Sequence, residues 1–328
     1  MIKVTLLSLF FIFISCSLQQ KRNPASYSII CDDVYNGNFR TQNSQSKEEG
    51  LVDHFFLKNP YQTGGVKYQI NFERVESFVE SLPSKYNNEL AVTSIGQYDG
   101  IAVKRIDVAG WGQSEKTKVI ITAGVHGNES AGVATVVNLL ERIIHDPYIR
   151  TNFDFVIFPY LNPRGLTDNM RRLGNNIDLN RTFPGGKSPQ QKITEMVRNN
   201  LKDESFDLGL DLHEAPFREH FFVIKMHEND NGLTSAVLAD VPQEALVTAK
   251  DNIYPGAMYQ ASKPGEPPLK NPKKVYTLYA PGEVSSANRG TVKGFFHDEL
   301  NVENAYTIEA PGQYELAEKI EIYTDIVQ

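Results

Sequence analysis

The chain has 328 residues, 41% hydrophobic and 22% charged, enough for one large core and the size of an α/β enzyme domain. Its 33 basic and 40 acidic residues leave a net charge of -7. That balance offers no electrostatic footprint for nucleic acid and argues against a polyanion as partner.

The N-terminus starts with a short basic region, Met1-Ile-Lys3, and an apolar run, Val4 to Ile14, too brief to make a good membrane span. Residues 1–15 therefore read as an export signal. Phe13-Ile-Ser-Cys16 resembles the lipobox of bacterial lipoproteins, with Phe13 where that family usually has Leu. The resemblance implies that Cys16 is lipidated and becomes the mature N-terminus. Ser17 after it implies, by the same resemblance, anchoring in the outer membrane, facing the periplasm or the exterior. An ordinary cleaved signal peptide or an apolar N-terminal helix is the plainer alternative. Cys31 is the only other cysteine, so with Cys16 lipidated no intramolecular disulfide can form.

Residues 16–59 include the polar, weakly periodic stretches Gln19 to Pro24 and Arg40 to Glu49, a composition suited to a tether. The folded domain is expected over 60–328. Helical spacing runs through Phe72 to Leu82, and Leu90 to Ile95 and Ile101 to Ile106 predict a strand pair around an Asp99-Gly100 turn. From Lys118 onward, strand-like runs at Val119 to Ala123, Phe153 to Pro159, Leu208 to His213 and Tyr306 to Glu309 alternate with helical patterns. This predicts an α/β fold, a single domain whose twisted mixed, mostly parallel sheet is flanked by helices. Ligands bind such sheets at the carboxyl ends of the strands, where the polar residues of interest fall. No internal repeat or second-domain linker is visible. Residues from about Asn229 to Lys274, rich in Pro, Gly, Asn and Lys, read as long loops with one short helix, suited to a cleft wall.

In Ala123-Gly-Val-His126-Gly-Asn-Glu129 an imidazole and a carboxylate lie three residues apart, where a predicted strand turns into a helix. A catalytic zinc takes three protein ligands and leaves a fourth position to water, so the pair needs a third donor. His213 suits, because period-2 alternation puts Phe206, Leu208, Leu210 and Leu212 on one strand face and Asp207, Asp211 and His213 on the other. His54 falls in the tether region, His145 at a helix end, and His220, His227 and His297 in loop or edge contexts. The pair alone is weak, since a capping histidine in a glycine-rich turn explains His126 equally well. Other segments tip the balance. Asn162-Pro-Arg-Gly165, Arg171-Arg172 and Asp178-Leu-Asn-Arg181 gather cationic and amide donors. Asn180 and Arg181 border the turn Phe183-Pro-Gly-Gly186, where a planar guanidinium can meet a substrate carboxylate. Near the C-terminus Thr307 and Glu309 share one strand face, Tyr306 and Ile308 the other, and Pro311-Gly312 ends the strand just past the carboxylate.

Together these motifs resemble the zinc carboxypeptidase superfamily, with its aspartoacylase and succinylglutamate desuccinylase relatives, over roughly residues 118–312. The resemblance implies one zinc ion held by His126, Glu129 and His213. It also implies that Asp178 orients His126, and that Asn180 and Arg181 clamp the substrate's terminal carboxylate. Arg171, better spaced than Arg172, would polarise the scissile carbonyl, and Glu309 would be the general base. A tyrosine closes over substrate in the family; Tyr259 in Tyr259-Gln-Ala-Ser262 echoes it, with Tyr276 and Tyr279 as alternatives. The implied activity is that of a zinc metallohydrolase, bound to a membrane through its lipid anchor, acting as a carboxypeptidase on peptides or cell-wall-derived peptides. Thr182-Phe183-Pro-Gly-Gly resembles the deacylase branch, which makes an N-acyl amino acid deacylase the alternative. A binding module without turnover would be marked by loss of a ligand or of the base, and none is lost.

Overall fold

The structure, a computed structural model, describes residues 56–58, 68–86, 89–186, 188, 191–215, 221–226, 277–279, 289–311 and 316–327. Cys16, His54, His220, His227, the 229–274 segment, Tyr259 and Tyr276 lie outside them. Two short strands, β1 (Phe56–Lys58) and β2 (Tyr68–Ile70), pair antiparallel. The predicted helix follows as α1 (Phe72–Lys85), started by the Asn71 side chain, which accepts from the Arg74 backbone N–H. Its buried residues Phe72, Val75, Val79 and Leu82 recur every three or four positions.

The expected hairpin is β3 (Ala91–Tyr98) with β4 (Ile101–Val108). Both turn residues, Asp99 and Gly100, have positive φ (50° and 77°), the conformation a two-residue turn needs to follow the strands' twist. The remaining strands are β5 (Thr117–Ala123), β6 (Phe153–Phe158), β7 (Leu208–Ala215), β8 (Phe222–Lys225), β9 (Thr277–Tyr279) and β10 (Asn304–Pro311). With the hairpin they form one eight-stranded sheet in the order β3-β4-β6-β5-β7-β10-β8-β9. The central run β6-β5-β7-β10 is parallel, while the pairings β3–β4, β4–β6 and β10–β8 are antiparallel. The fold is the mixed α/β sheet that the alternation of strand and helix patterns predicts.

Helices α2 (Ser130–His145) and α7 (Leu316–Val327) pack together on one face of the sheet. Gly132 of α2 sits so close to β7 that a Cβ there would come within 2.8 Å of the Leu212 carbonyl oxygen. Helices α5 (Lys192–Leu201) and α6 (Val292–Asp298) cover the other face. There Ile193, Val197, Leu201, Phe295 and Phe296 share a core with Ile120, Val156 and Phe158 of the sheet, and Phe296 lies over Gly209. His297 therefore lies in a helix rather than in the loop or edge context expected for it, because Val292, Phe295 and Phe296 bury one face of that segment. Short helices α3 (Pro147–Asn152) and α4 (Pro163–Asp168) flank β6. Strand β7 is buried on both faces from Gly209 to Glu214, so its polar side chains are interior groups that need partners.

Candidate active site

Parallel strands bring their carboxyl ends to one edge, and three of these ends supply the site. The chain leaves β5 through Gly124, whose φ of 60° turns it sharply, and reaches His126 and then Glu129 at the head of α2. Gly127 between them lies against Gly165, where a Cβ would come within 1.9 Å of backbone, and its N–H donates to the Met170 carbonyl at 3.1 Å. The neighbouring strand β7 delivers His213. One ligand atom each from His126, Glu129 and His213 lie within 4.8 Å of one another, and all three residues are buried.

The two imidazoles are mounted alike. His126 Nε2 is 2.9 Å from Asp178 Oδ1, and its Nδ1 faces Glu129 Oε1 at 2.7 Å. His213 Nε2 is 2.8 Å from Asp211 Oδ2, and its Nδ1 is 2.8 Å from Glu129 Oε2. Each ring is thus held at one nitrogen by an aspartate, which fixes its orientation and leaves the other nitrogen toward the shared carboxylate. His126 Nδ1 is close to Glu129 but not aligned for a hydrogen bond, and it is buried without a partner among the described residues. A buried ring nitrogen with its lone pair unspent, in a His-Glu-His cluster, fits a divalent metal.

The charges agree with such a site. Burial pushes the Glu129 carboxyl up, but the charges of and bonds to His126 and His213 hold it well below the usual range. Burial likewise raises Asp178, and its bond to His126 with the charges of His126, Arg171 and Arg181 brings it below the usual carboxylate range. For His213 burial favours the neutral ring, yet Asp211 and Glu129 raise its pKa well above the ordinary value. Three carboxylates, Glu129, Asp178 and Asp211, facing two imidazoles at these distances favour positive charge, whether proton or metal.

Arg171 reaches the cluster: its NH1 donates to Glu129 Oε1 at 2.7 Å and its NH2 to Asp178 Oδ2 at 3.3 Å. Arg172 turns away, donating to the Asn176 carbonyl at 3.1 Å, and Arg164 pairs with Asp168 on α4. Asp178 caps a short 3-10 turn, Leu179–Arg181, accepting from the Asn180 N–H at 3.0 Å. Asn180 is buried beside the cluster, with its Nδ2 3.2 Å from His213 Nε2 and its Oδ1 accepting from the Val292 N–H at 2.8 Å. Arg181 is exposed, with NH1 donating to the Asn180 carbonyl at 2.6 Å. Glu309, on β10, stands opposite His213 in the parallel register and is half-buried. Loss of water pushes its carboxyl up to about 7; His213 opposes that shift, Glu129 adds to it, and His126 and Arg171 oppose it. Tyr279 ends β9.

Several residues of this edge escape sequence reasoning. Asp211 is visible there only as a member of the polar strand face; three dimensions make it the partner of His213, with Thr122 Oγ1 donating to it at 2.8 Å. Glu214, beside His213, accepts from the Ala131 N–H at 3.1 Å at the start of α2 and from Lys319 Nζ at 2.5 Å, both partners being fully enclosed. Tyr323 of α7 donates from its hydroxyl to the carbonyls of His213 and Ile308 and accepts from the Ala310 N–H. On the opposite face of the sheet, Lys293 of α6 is buried as well. Positions 319 and 323 carry no local pattern, since only strand order brings them to the metal-ligand edge.

A family model for the succinylglutamate desuccinylase/aspartoacylase catalytic domain matches residues 115–267. Among curated proteins no relative is found by sequence. The fold is similar to that of a metallo-carboxypeptidase from Burkholderia cenocepacia at 15% identity and a TM-score of 0.57, over 78% of this chain and 66% of that one. A metallopeptidase-like chain of Shewanella denitrificans matches at 16% identity and a TM-score of 0.60, over 87% of this chain and 96% of that one. A metallo-carboxypeptidase from Pseudomonas aeruginosa, solved with (2-guanidinoethylmercapto)succinic acid, matches at 18% identity and a TM-score of 0.54, over 76% of this chain and 66% of that one. The chain thus spans just under two thirds of the two carboxypeptidases. Residues 115–267, just under half of the chain, are thus similar to the succinylglutamate desuccinylase/aspartoacylase catalytic domain, and the fold is that of the metallo-carboxypeptidases.

Proposed function

We propose that the chain is a zinc hydrolase cleaving an amide bond next to a free carboxylate, acting as a carboxypeptidase on peptides or cell-wall-derived peptides. The observation that carries this reading is the position of Glu309 across the β7–β10 register from His213, at the edge that gathers His126, Glu129 and His213. A bound zinc would supply Lewis acidity for the carbonyl and lower the pKa of a water. Within the chain, Glu309 would accept a proton from the attacking water and return it to the leaving amine, a task suited to a carboxyl tuned toward neutral pH. Arg171 donates hydrogen bonds to the carbonyl oxygen as negative charge builds on it. Arg181 meets the substrate carboxylate from the exposed side, and Asn180 holds that loop against His213 and α6.

A second reading, an N-acyl amino acid deacylase, is favoured by the family model over residues 115–267. Zinc-loaded protein assayed on free-acid peptides, their C-terminal amides and N-acyl amino acids separates the two. Release of the last residue from free acids alone supports the carboxypeptidase; cleavage of N-acyl amino acids alone transfers the assignment to the deacylase. A Glu309→Gln variant is expected to lose about a hundredfold or more in kcat while keeping its zinc, and full turnover by it would defeat both readings. We also propose export and lipid anchoring at Cys16, with residues 16–59 as tether, on the sequence pattern alone. Labelled palmitate should enter the wild-type chain and not Cys16→Ser; equal labelling of both refutes it.

A further inference from the structure

Helix α7 carries one hydroxyl that meets both strands of the site. Tyr323 is fully buried, and its ring lies edge-on to Phe221 with the centroids 5.4 Å apart. Its oxygen is 2.6 Å from the Ile308 carbonyl oxygen and 3.2 Å from the Ala310 backbone nitrogen, so it touches the residues on either side of Glu309 on β10. The same oxygen meets the carbonyl of His213 on β7. A phenol has one proton and two lone pairs, so it accepts the Ala310 N–H and shares its proton between the two carbonyls. His213 and Glu309 stand opposite each other in the parallel register of these strands. The backbone of the ligand and the backbone around the base therefore converge on one atom.

The hydroxyl itself is held from outside the strands. One turn earlier on α7, Lys319 pairs with Glu214, the residue after His213, and one residue later Thr324 Oγ1 accepts from Asn138 Nδ2 of α2 at 3.2 Å. With the ring also seated on Phe221, the oxygen has little freedom to follow a strand that shifts. The end of β10 needs such a support. Pro311 closes the strand and has no N–H, so Ala310 offers its last backbone donor, and that donor goes to Tyr323. A general base must lie within hydrogen-bond reach of the proton it takes, and a misplacement of about 1 Å is enough to cost a large part of the rate.

We infer that Tyr323 is a positioning residue of the hydrolytic site, its hydroxyl fixing the offset between His213 and Glu309 by tying their backbones together. The inference rests on the reading of His213 as a ligand and Glu309 as the base. Tyr323→Phe removes the oxygen and keeps the ring on Phe221. It is expected to lower kcat about tenfold with KM changed less than about threefold. Zinc affinity, read by competition with a chelator, should fall about tenfold as His213 loosens. In metal-free protein the Ala310 amide should exchange about tenfold faster or more, with the amides of β5 and β6 unchanged. Thr324→Val, which loosens α7 from α2 without touching the strands, should stay within about twofold of wild type in kcat and zinc affinity. In a Glu309→Gln background Tyr323→Phe should add little to the loss of kcat, because both act through the same group. Wild-type kcat and zinc affinity in Tyr323→Phe overturn the inference, as does Thr324→Val equally impaired, an additive loss with Glu309→Gln, or a rise in KM alone. Should Tyr323→Phe not fold, NMR of the wild type decides: a Tyr323 hydroxyl proton that is slow to exchange and shifts on zinc addition supports the inference, and a freely exchanging one overturns it. Inactivity of the wild type on every substrate would instead defeat the hydrolase reading, with the zinc competition and the Ala310 amide still reporting on Tyr323.

Discussion

At the scale of single residues, the site consists of ligands held by other side chains. His126 and His213 each give one ring nitrogen to an aspartate, and the two oxygens of Glu129 face the remaining nitrogens. Asp178→Asn keeps the shape but weakens the grip on His126, so zinc affinity is expected to fall by about 10- to 100-fold, measurable by chelator competition. Glu309 gives a pH prediction with a definite sign. In metal-free protein its carboxyl is pushed up to about 7, and a divalent cation beside it favours the carboxylate and lowers that value. Carboxyl NMR of the metal-free chain should show a group titrating near 7, absent from Glu309→Gln. Zinc should move it down, and the acid limb of kcat/KM should follow the loaded value; an unchanged titration would remove Glu309 from the metal's neighbourhood. The sequence exposes His126, Glu129, His213, Asp178 and Glu309 because each lies in a short motif at a strand end or a turn. It also ranks Arg171 over Arg172 by spacing; in the structure Arg171 contacts Glu129 and Asp178, while Arg172 donates to the Asn176 carbonyl. Asn180 differs in detail from a simple clamp, because its side-chain oxygen is already taken by the Val292 N–H.

At the scale of elements, helix α7 braces the site from behind. Lys319 and Glu214 form a buried ion pair at 2.5 Å, and Glu214 also receives the Ala131 N–H at the start of α2, where the helix dipole favours a carboxylate. Lys319→Met strands that carboxylate in the interior. Stability is expected to drop by about 3–5 kcal/mol, read from the denaturant midpoint, and Lys319→Met/Glu214→Gln should recover much of it. If the single variant were as stable as wild type, the pair would not be holding α7 to the sheet. None of this is legible from α7 itself, since Lys319 and Tyr323 look like ordinary helix residues until the helix is docked. Helix α6 repeats the lesson, because His297 reads as a loop or edge residue until Phe296 is placed on Gly209.

At the scale of the whole molecule, the metal site joins segments far apart in the chain. His126 and Glu129 come from the end of β5, His213 from β7 and the facing Glu309 from β10, three strands that are neighbours only through the sheet order. A ligand that binds the folded state and not the unfolded one stabilises by mass action, by about 2.7 kcal/mol at a hundred times its dissociation constant. Zinc should therefore raise the melting temperature in a saturable way and a chelator should reverse it, while His213→Ala should show no such rise. A melting temperature indifferent to zinc would mean that the cluster does not bind it.

The sequence by itself determined the α/β class, the hairpin at Asp99-Gly100 and the candidates His126, Glu129, His213 and Glu309 that the fold brings to one edge, because alternation, turn chemistry and strand-end motifs are local signals carried by neighbouring residues. Tertiary structure alone decided that Asp211 serves His213, that Glu214 belongs to Lys319, that Tyr323 bridges β7 and β10, and that Lys293 is buried. Those are contacts between residues tens of positions apart, and their partners are chosen by strand order and by the packing of α6 and α7, which no local pattern encodes.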